Sequence, residues 1–229
     1  MKPSLVKAQV ERIIPLTDSI IHLVLKPEHY VAYQAGQYLN LLWDDQESSY
    51  SIANAPLGAS YYELHIRHSA DNACNQSLLA SLKSHRSLTL KLPLGQCSLA
   101  ALDAQRPILF VAAGTGFAPI HAMIEQLLAD ADTRAFELFW GARTQSDLYL
   151  HEKAQHWQAH VAQFKYHFFL SETQKNNLFS QLLSAHAHDL MQWQFVLSGP
   201  FDLIYQMRDQ LVARGVSPAF IFSDAFSFE

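Results

Sequence analysis

The segment Ile108-Leu109-Phe110-Val111-Ala112-Ala113-Gly114-Thr115-Gly116-Phe117-Ala118-Pro119 is an apolar run, then two glycines, then the start of a helix-length pattern. The chemistry open to such a junction is electrostatic. Glycines let the backbone turn tightly and approach a pyrophosphate, while the free N–H groups and dipole of the next helix favour its negative charge. Strand, turn and helix follow one another in the order this requires, so a dinucleotide site is expected at Gly114, Thr115, Gly116, Phe117, Ala118 and Pro119.

Other reactive residue types point less far. His156 and His160 stand four apart and could share one helix face, but a zinc site needs a third ligand or a Glu base, and no metal site is expected. His186-Ala187-His188 reads as a polar loop. There is no Gly-x-Ser-x-Gly elbow, and Cys74 and Cys97 have no catalytic context, so hydrolase chemistry lacks support. Two cysteines also fall short of the four thiolates of a plant-type iron–sulfur cluster, and the chain is not expected to carry its own ferredoxin centre.

The elements that must position the glycine turn have two textures. From Leu5 to about Pro93, short apolar or alternating runs read as strands: Val6 to Ile14, Ile20 to Leu25, Gln37 to Trp43, Tyr50 to Asn54, Tyr61 to His68 and Leu88 to Leu92. Turn residues between them predict an antiparallel sandwich or small barrel, with one helix at Asn75 to Lys83 where Leu78, Leu79 and Leu82 are spaced helically. After about Gly95, strands alternate with helices: Ile108 to Ala112, Phe136 to Trp140, Phe164 to Leu170, Phe195 to Leu197 and Ala219 to Phe222, with helices at Pro119 to Leu128 and Phe201 to Val212. That alternation predicts an α/β domain with a parallel sheet. The expected domains are residues 1–98 and 106–229, with Gln96 to Arg106 as the linker.

Composition narrows the partners. With 49% hydrophobic and 16% charged residues the 229-residue chain can bury a substantial core. Its net charge is −5, with no dense Lys/Arg cluster, which argues against nucleic acid. The most apolar stretch, Pro107 to Ile120, is shorter than the ~18 residues of a membrane span. Lys7, Glu11 and Arg12 interrupt any signal-peptide apolar region, and the low cysteine count suits a reducing compartment, so a cytoplasmic location is expected.

Gly114-Thr115-Gly116-Phe117-Ala118-Pro119 resembles the nucleotide-binding motif of the ferredoxin-NADP⁺ reductase superfamily, whose members place a flavin-binding β-barrel before this domain. Tyr50-Ser51-Ile52-Ala53, Ser198-Gly199-Pro200 and Asp224-Ala225-Phe226 fall in order where that superfamily has its other motifs. Ala35-Gly36-Gln37-Tyr38-Leu39, Glu63-Leu64-His65-Ile66 and Trp140-Gly141-Ala142-Arg143 are similar to the bacterial NAD(P)H:flavin reductases in particular. The resemblance implies a two-domain fold, an N-terminal antiparallel β-barrel and a C-terminal α/β nucleotide-binding domain, and an enzyme using NADH or NADPH with riboflavin, FMN or FAD.

The resemblance also implies roles. Tyr50, Ser51 and Ile52 would lie along the flavin, with the Ser51 hydroxyl near N5 as the catalytic group, and His65 and Ile66 would contribute from the next strand. Gly141 and Arg143 would meet the nucleotide, Arg143 at its ribose or 2′-phosphate; Gly199 and Pro200 would shape the nicotinamide pocket, and Asp224 and Phe226 would close the site. Two positions depart from the pattern. Ser48 stands where the superfamily usually has a phosphate-binding Arg, and Ser198 where it has Cys. Arg67, at the end of the His65-Ile66-Arg67 strand, is either a substitute phosphate anchor on the first count or an exposed strand-end charge. Flavin is therefore expected to act as a dissociable substrate, reduced by hydride from nicotinamide C4 and passed to acceptors such as ferric iron or an oxygenase. The alternatives are a reductase that keeps flavin and serves a ferredoxin or oxygenase partner, and a non-catalytic module on a decayed reductase fold.

Overall fold

The computed structural model describes residues 2–58, 60–69, 71–173 and 177–228. Six antiparallel strands form the first sheet: β1 (Ser4–Thr17), β2 (Ile20–Pro27), β3 (Tyr38–Trp43), β4 (Gln46–Ser51), β5 (Tyr62–Arg67) and β6 (Ser87–Leu94), with a single helix, α1 (Ala73–Ser84), before β6. Their order is β4-β3-β6-β1-β2-β5. The Ala53 N–H donates to the Glu63 carbonyl at 2.7 Å, which draws the chain leaving edge strand β4 onto edge strand β5 and curls the sheet into a barrel. Alternation along each strand turns Leu39, Leu41, Leu64, Ile66, Leu88, Leu90 and Leu92 inward, where they are buried together.

The second half carries a five-stranded parallel sheet of β7 (Ile108–Ala113), β8 (Phe136–Ala142), β9 (Phe164–Leu170), β10 (Gln194–Ser198) and β11 (Ile221–Phe222), in the order β11-β10-β7-β8-β9. Its helices are α2 (Phe117–Ala129), α3 (His151–His160), α4 (Leu178–Ala185) and α5 (Phe201–Ala213). Both faces are covered. Ile108, Phe110 and Ala112 of β7 pack with α2 and α3, whereas Leu109 and Val111 pack with α4 and α5. This is why β7 reads as continuously apolar rather than alternating. The chain order reverses between β7 and β10, and the crevice beyond the strand ends at such a switch point is where open α/β sheets bind ligands.

An antiparallel barrel followed by a parallel α/β sheet is the expected architecture. Two elements differ in place. The strand expected at Tyr50 to Asn54 is Gln46–Ser51: polar Gln46, Glu47 and Ser48 pair with β3 at the sheet edge, and buried Ile52 and Ala53 leave that ladder to meet Gln37 and β5. The strand expected from Ala219 shortens to Ile221–Phe222, because Pro218 opens a 3₁₀ turn capped by the Ser217 hydroxyl. Between the sheets, buried Gln194 fixes the connecting segment by bonding Asp103 N at 2.9 Å, Asp103 O at 2.8 Å and Arg106 O at 2.9 Å. Among the described residues no helix is long and apolar enough to cross a membrane.

Candidate active site between barrel and α/β domain

β4 brings Tyr50 and Ser51 to the barrel rim by pairing them with Leu39 and Tyr38. β5 brings His65 and Arg67 to the same place, on one face of the strand, while Ile66 between them points into the barrel core. Opposite, β7 ends in Gly114, whose φ of 56° is the left-handed conformation that glycine adopts without penalty. The turn continues as Thr115-Gly116 into α2, so the helix N-terminus faces the barrel strands. The Trp140 indole N–H donates to the Gly114 carbonyl at 3.0 Å, and Phe117 stacks on Trp140 at 4.0 Å, which locks the turn to β8 from behind.

A cleft of about 820 Å³ lies between these elements. Tyr50, Ser51, His65, Arg67, Gly114, Thr115, Gly116 and Ala118 line it, as do Gly141, Arg143, Gly199 and Pro200. A smaller recess of about 200 Å³ adjoins it through Tyr50, Ser51, Ser198 and Gly199, and reaches Pro119 and Asp224. The side chains of Ile52, Ile66 and Phe117 are buried in the cores instead, and Phe226 packs beside Tyr205 and Arg208. Gly114 opens to the cleft: the one atom within 4 Å of an added Cβ would be Arg67 Nη2, at 3.6 Å. At Gly116 the same atom would overlap the Ser198 carbonyl and stand 2.8 Å from Gly199 N. Two glycines in one motif therefore serve different needs, room for a ligand at Gly114 and backbone packing at Gly116.

Electrostatics across the cleft are arranged in pairs. Arg67 Nη2 lies 3.2 Å from Asp147 Oδ1, and His65 Nδ1 lies 3.1 Å from the Tyr149 hydroxyl. Burial pushes the His65 imidazole well below its ordinary pKa, and the Lys153 ammonium nearby adds to the push, so it is neutral. The Lys153 ammonium donates to His121 Nε2 at 2.7 Å, which places the proton on Nδ1, and that N–H donates to the Ala53 carbonyl at 2.6 Å. Burial lowers the His121 pKa to about 4, and the ring acts as a neutral strut between the domains. Asp224 differs. Its burial pushes the carboxyl up to about 7, although N–H groups of Cys97 and Gln96 pull the other way.

Residues 110–208 match the oxidoreductase NAD-binding domain family, a span from β7 to α5. The chain is 30% identical over 213 residues to the CDP-6-deoxy-L-threo-D-glycero-4-hexulose-3-dehydrase reductase of Yersinia pestis, covering 91% of this chain and 64% of that relative. It therefore spans less than two thirds of that protein's length. It is 25% identical over 238 residues to the NAD(P)H-flavin reductase of Aliivibrio fischeri, covering 97% and 99% of the two chains. Its fold superposes on that of a ferredoxin NADP⁺ reductase from Neisseria gonorrhoeae with a TM-score of 0.77 at 16% identity, covering 97% and 98%. Residues 110–208 thus carry the NAD-binding oxidoreductase match, and the fold over nearly the whole chain is that of the Neisseria gonorrhoeae ferredoxin NADP⁺ reductase.

The two departures from the motif pattern have distinct surroundings. Ser48 is paired with Leu41 of β3 and its hydroxyl lies 3.5 Å from the thiol of Cys74, in the first turn of α1. Ser198 ends β10 beside Gly116, and both line the cleft. Asp147, Tyr149, His121 and Lys153 escape the motif-based reading. Only Asp147 had a local signal, the Thr144-x-x-Asp147 pattern that forms a capping box.

Proposed function

We propose that this chain is an NAD(P)H-dependent flavin reductase in which flavin is a dissociable substrate. One observation carries the reading: Ser51 of the barrel and the Gly114-Thr115-Gly116 turn of the α/β domain line one continuous cleft at the sheet's switch point. The cleft's volume is toward the upper end of the range of small-molecule sites, and Gly114 leaves room for a ligand at the start of α2. Bound there, the nicotinamide would supply a hydride from C4 and the flavin would receive it at N5.

The chain's own residues then bind, orient and supply protons. The N–H groups at the start of α2 face the dinucleotide phosphates. Ser51, fixed by its place in β4, offers a hydroxyl where electron density rises on the flavin, and an interaction stronger in the transition state than in the ground state raises the rate. Tyr50, half-buried beside it with its hydroxyl pKa raised to about 12 by burial, stays protonated and supplies a flat apolar wall. Asp224, in the recess shared with Ser51, holds a proton up to about pH 7 and can return it to reduced flavin.

Ser48 in place of the superfamily's phosphate-binding Arg supports exchange of flavin with solution, after which the reduced form serves acceptors such as ferric iron or an oxygenase. We place the protein in the cytoplasm, a setting that suits its free thiols at Cys74 and Cys97. The test is anaerobic stopped-flow mixing of protein and free FMN with NADH or NADPH. Flavin bleaching is the expected result, slowed ~10 to 100-fold by Ser51→Ala, or ~1.4 to 2.7 kcal/mol of barrel-side stabilisation lost. Unbleached flavin with both nucleotides would refute the reading.

A further inference from the structure

Glu137 is a buried acid outside the cleft. It lies within apolar β8 with its side chain 4% exposed, and His186, 6% exposed, meets it from the turn that follows α4. The His186 Nε2 is 3.4 Å from Glu137 Oε2, and its Nδ1 is 3.1 Å from Asp189 Oδ1. A neutral imidazole has one N–H and one lone pair, so in that state one ring nitrogen would turn its lone pair toward a carboxylate. The imidazolium donates at both nitrogens and satisfies both acids. Burial pushes the ring's pKa down, but Glu137 and Asp189 outweigh it and raise the pKa above its ordinary value. Lys165 and His167 of β9, 2.9 Å and 3.1 Å from the Glu137 oxygens, meet that carboxylate rather than the ring. Trp193 and Phe139 pack against the ring edge-to-face.

Helix α4 runs from this pair to the cleft. His186 follows its last residue and donates its N–H to the Leu182 carbonyl at 3.0 Å, while the other end is capped by Asn177, whose side chain accepts the Ser180 N–H at 2.8 Å. Asn177, Leu178 and Phe179 line the cleft. Leu178 sits close over Gly141 of β8, where an added Cβ would stand 3.1 Å from its Cδ2. Strand β8 therefore carries Glu137 near its start and the cleft residue Gly141 near its end, and α4 bridges the two. At 8 residues, or ~12 Å at 1.5 Å of rise per residue, α4 is short enough for a shift at one end to move the other.

We propose that His186 is a positioning residue for the nucleotide site: its imidazolium, held between Glu137 and Asp189, pins the end of α4 to β8 and so keeps Leu178 and Phe179 seated at the cleft wall. Loss of the proton breaks one of the two contacts and frees the helix end, so nucleotide affinity falls as pH rises. Stability changes with the same sign. A histidine with a raised folded-state pKa stabilises the fold fully below its unfolded value, and that contribution is lost as pH rises through the folded value. The effect falls on nucleotide affinity and not on the rate of flavin reduction at saturating nucleotide. This inference rests on the reading of the cleft as a dinucleotide site but separates from it in the laboratory.

The experiment is calorimetric titration of the whole chain with ADP-ribose, which carries the pyrophosphate and no nicotinamide, at intervals from pH 6 to pH 9. Wild-type affinity is expected to fall about fivefold across that range, the low end of ordinary coupling between sites. The fall should persist in Asp224→Asn, which removes the titrating carboxyl of the recess. His186→Gln should bind about fivefold more weakly at pH 6 and show no pH dependence. Asp189→Asn, at a side chain 40% exposed, should fold and move the midpoint to lower pH, with the His186 ring resonance in NMR titrating at the same midpoint. A pH-independent wild type, a fall abolished by Asp224→Asn, a His186→Gln chain that binds as wild type, or a His186 ring already neutral at pH 6 would each overturn the proposal. Should His186→Gln fail to fold, Asp189→Asn decides, and an unmoved midpoint overturns it. All of these leave the cleft reading standing, whereas a wild-type chain that binds no ADP-ribose at any pH would overturn both.

Discussion

The space that a side chain at Gly116 would fill is already occupied by the backbone of Ser198. The two loops that meet at the switch point, one ending β7 and one ending β10, are thus in backbone contact, and the glycine is there for packing. Gly116→Ala is expected to destabilise the protein by about 1–3 kcal/mol, the range for forcing atoms into a packed interior. Gly114→Ala should act differently. Its Cβ would meet only the Arg67 side chain, at an ordinary contact distance of 3.6 Å, so the cost is about 1 kcal/mol of backbone strain with a larger loss of nucleotide affinity. Thermal melts with ADP-ribose titrations distinguish the two, and equal melting temperatures for Gly116→Ala and wild type would contradict the packing argument.

Ser48 offers a gain-of-function test. Its hydroxyl sits beside Cys74 in the first turn of α1, so a guanidinium grafted there would face the same region as that helix start. Ser48→Arg should lower the KM for FMN about tenfold, ~1.4 kcal/mol, and leave that for riboflavin unchanged. Equal effects on both flavins would show that position 48 does not face the phosphate.

Asp224 sets a pH dependence. Burial raises its carboxyl pKa to about 7, so the proton is in place below that pH and lost above it. Flavin reduction should therefore fall as pH rises through about 7, and Asp224→Asn should be slower at pH 6 and flat across the range. The stability consequence has a definite sign. A carboxyl with a raised folded-state pKa stabilises the fold fully below its unfolded value, and that contribution is lost as pH rises to about 7. Asp224→Asn should remove this loss, which thermal melts at pH 5 and pH 8 would read. A wild-type rate unchanged from pH 6 to 8 would remove Asp224 from the proton path.

The strand–turn–helix of β7 and α2 was legible because burial on both sheet faces writes an unbroken apolar run, and glycines punctuate its end. The barrel strands were legible through alternation. Helix α3 was not: His151–His160 buries only Ala154 and Trp157, too few apolar positions to mark a face. Glu137 shows the same limit inside a strand. It is buried within an otherwise apolar β8, and its partners, Lys165 at 2.9 Å and His167 at 3.1 Å on β9 and His186 at 3.4 Å after α4, lie far along the chain. Motifs located the cleft walls at Ser51 and Gly114. The residues that fasten one wall to the other, His121 to Ala53 and Arg67 to Asp147, depend on contacts across the domains that no local pattern encodes.

The central claim, that the chain moves reducing equivalents from NAD(P)H to a flavin it does not retain, is tested most directly by following NAD(P)H oxidation by protein stripped of flavin as free flavin is added. The account predicts negligible oxidation without flavin, saturable oxidation with it, and riboflavin effective within about tenfold of FMN, a gap of ~1.4 kcal/mol. Full activity without added flavin, or no activity with riboflavin, FMN or FAD, would contradict it.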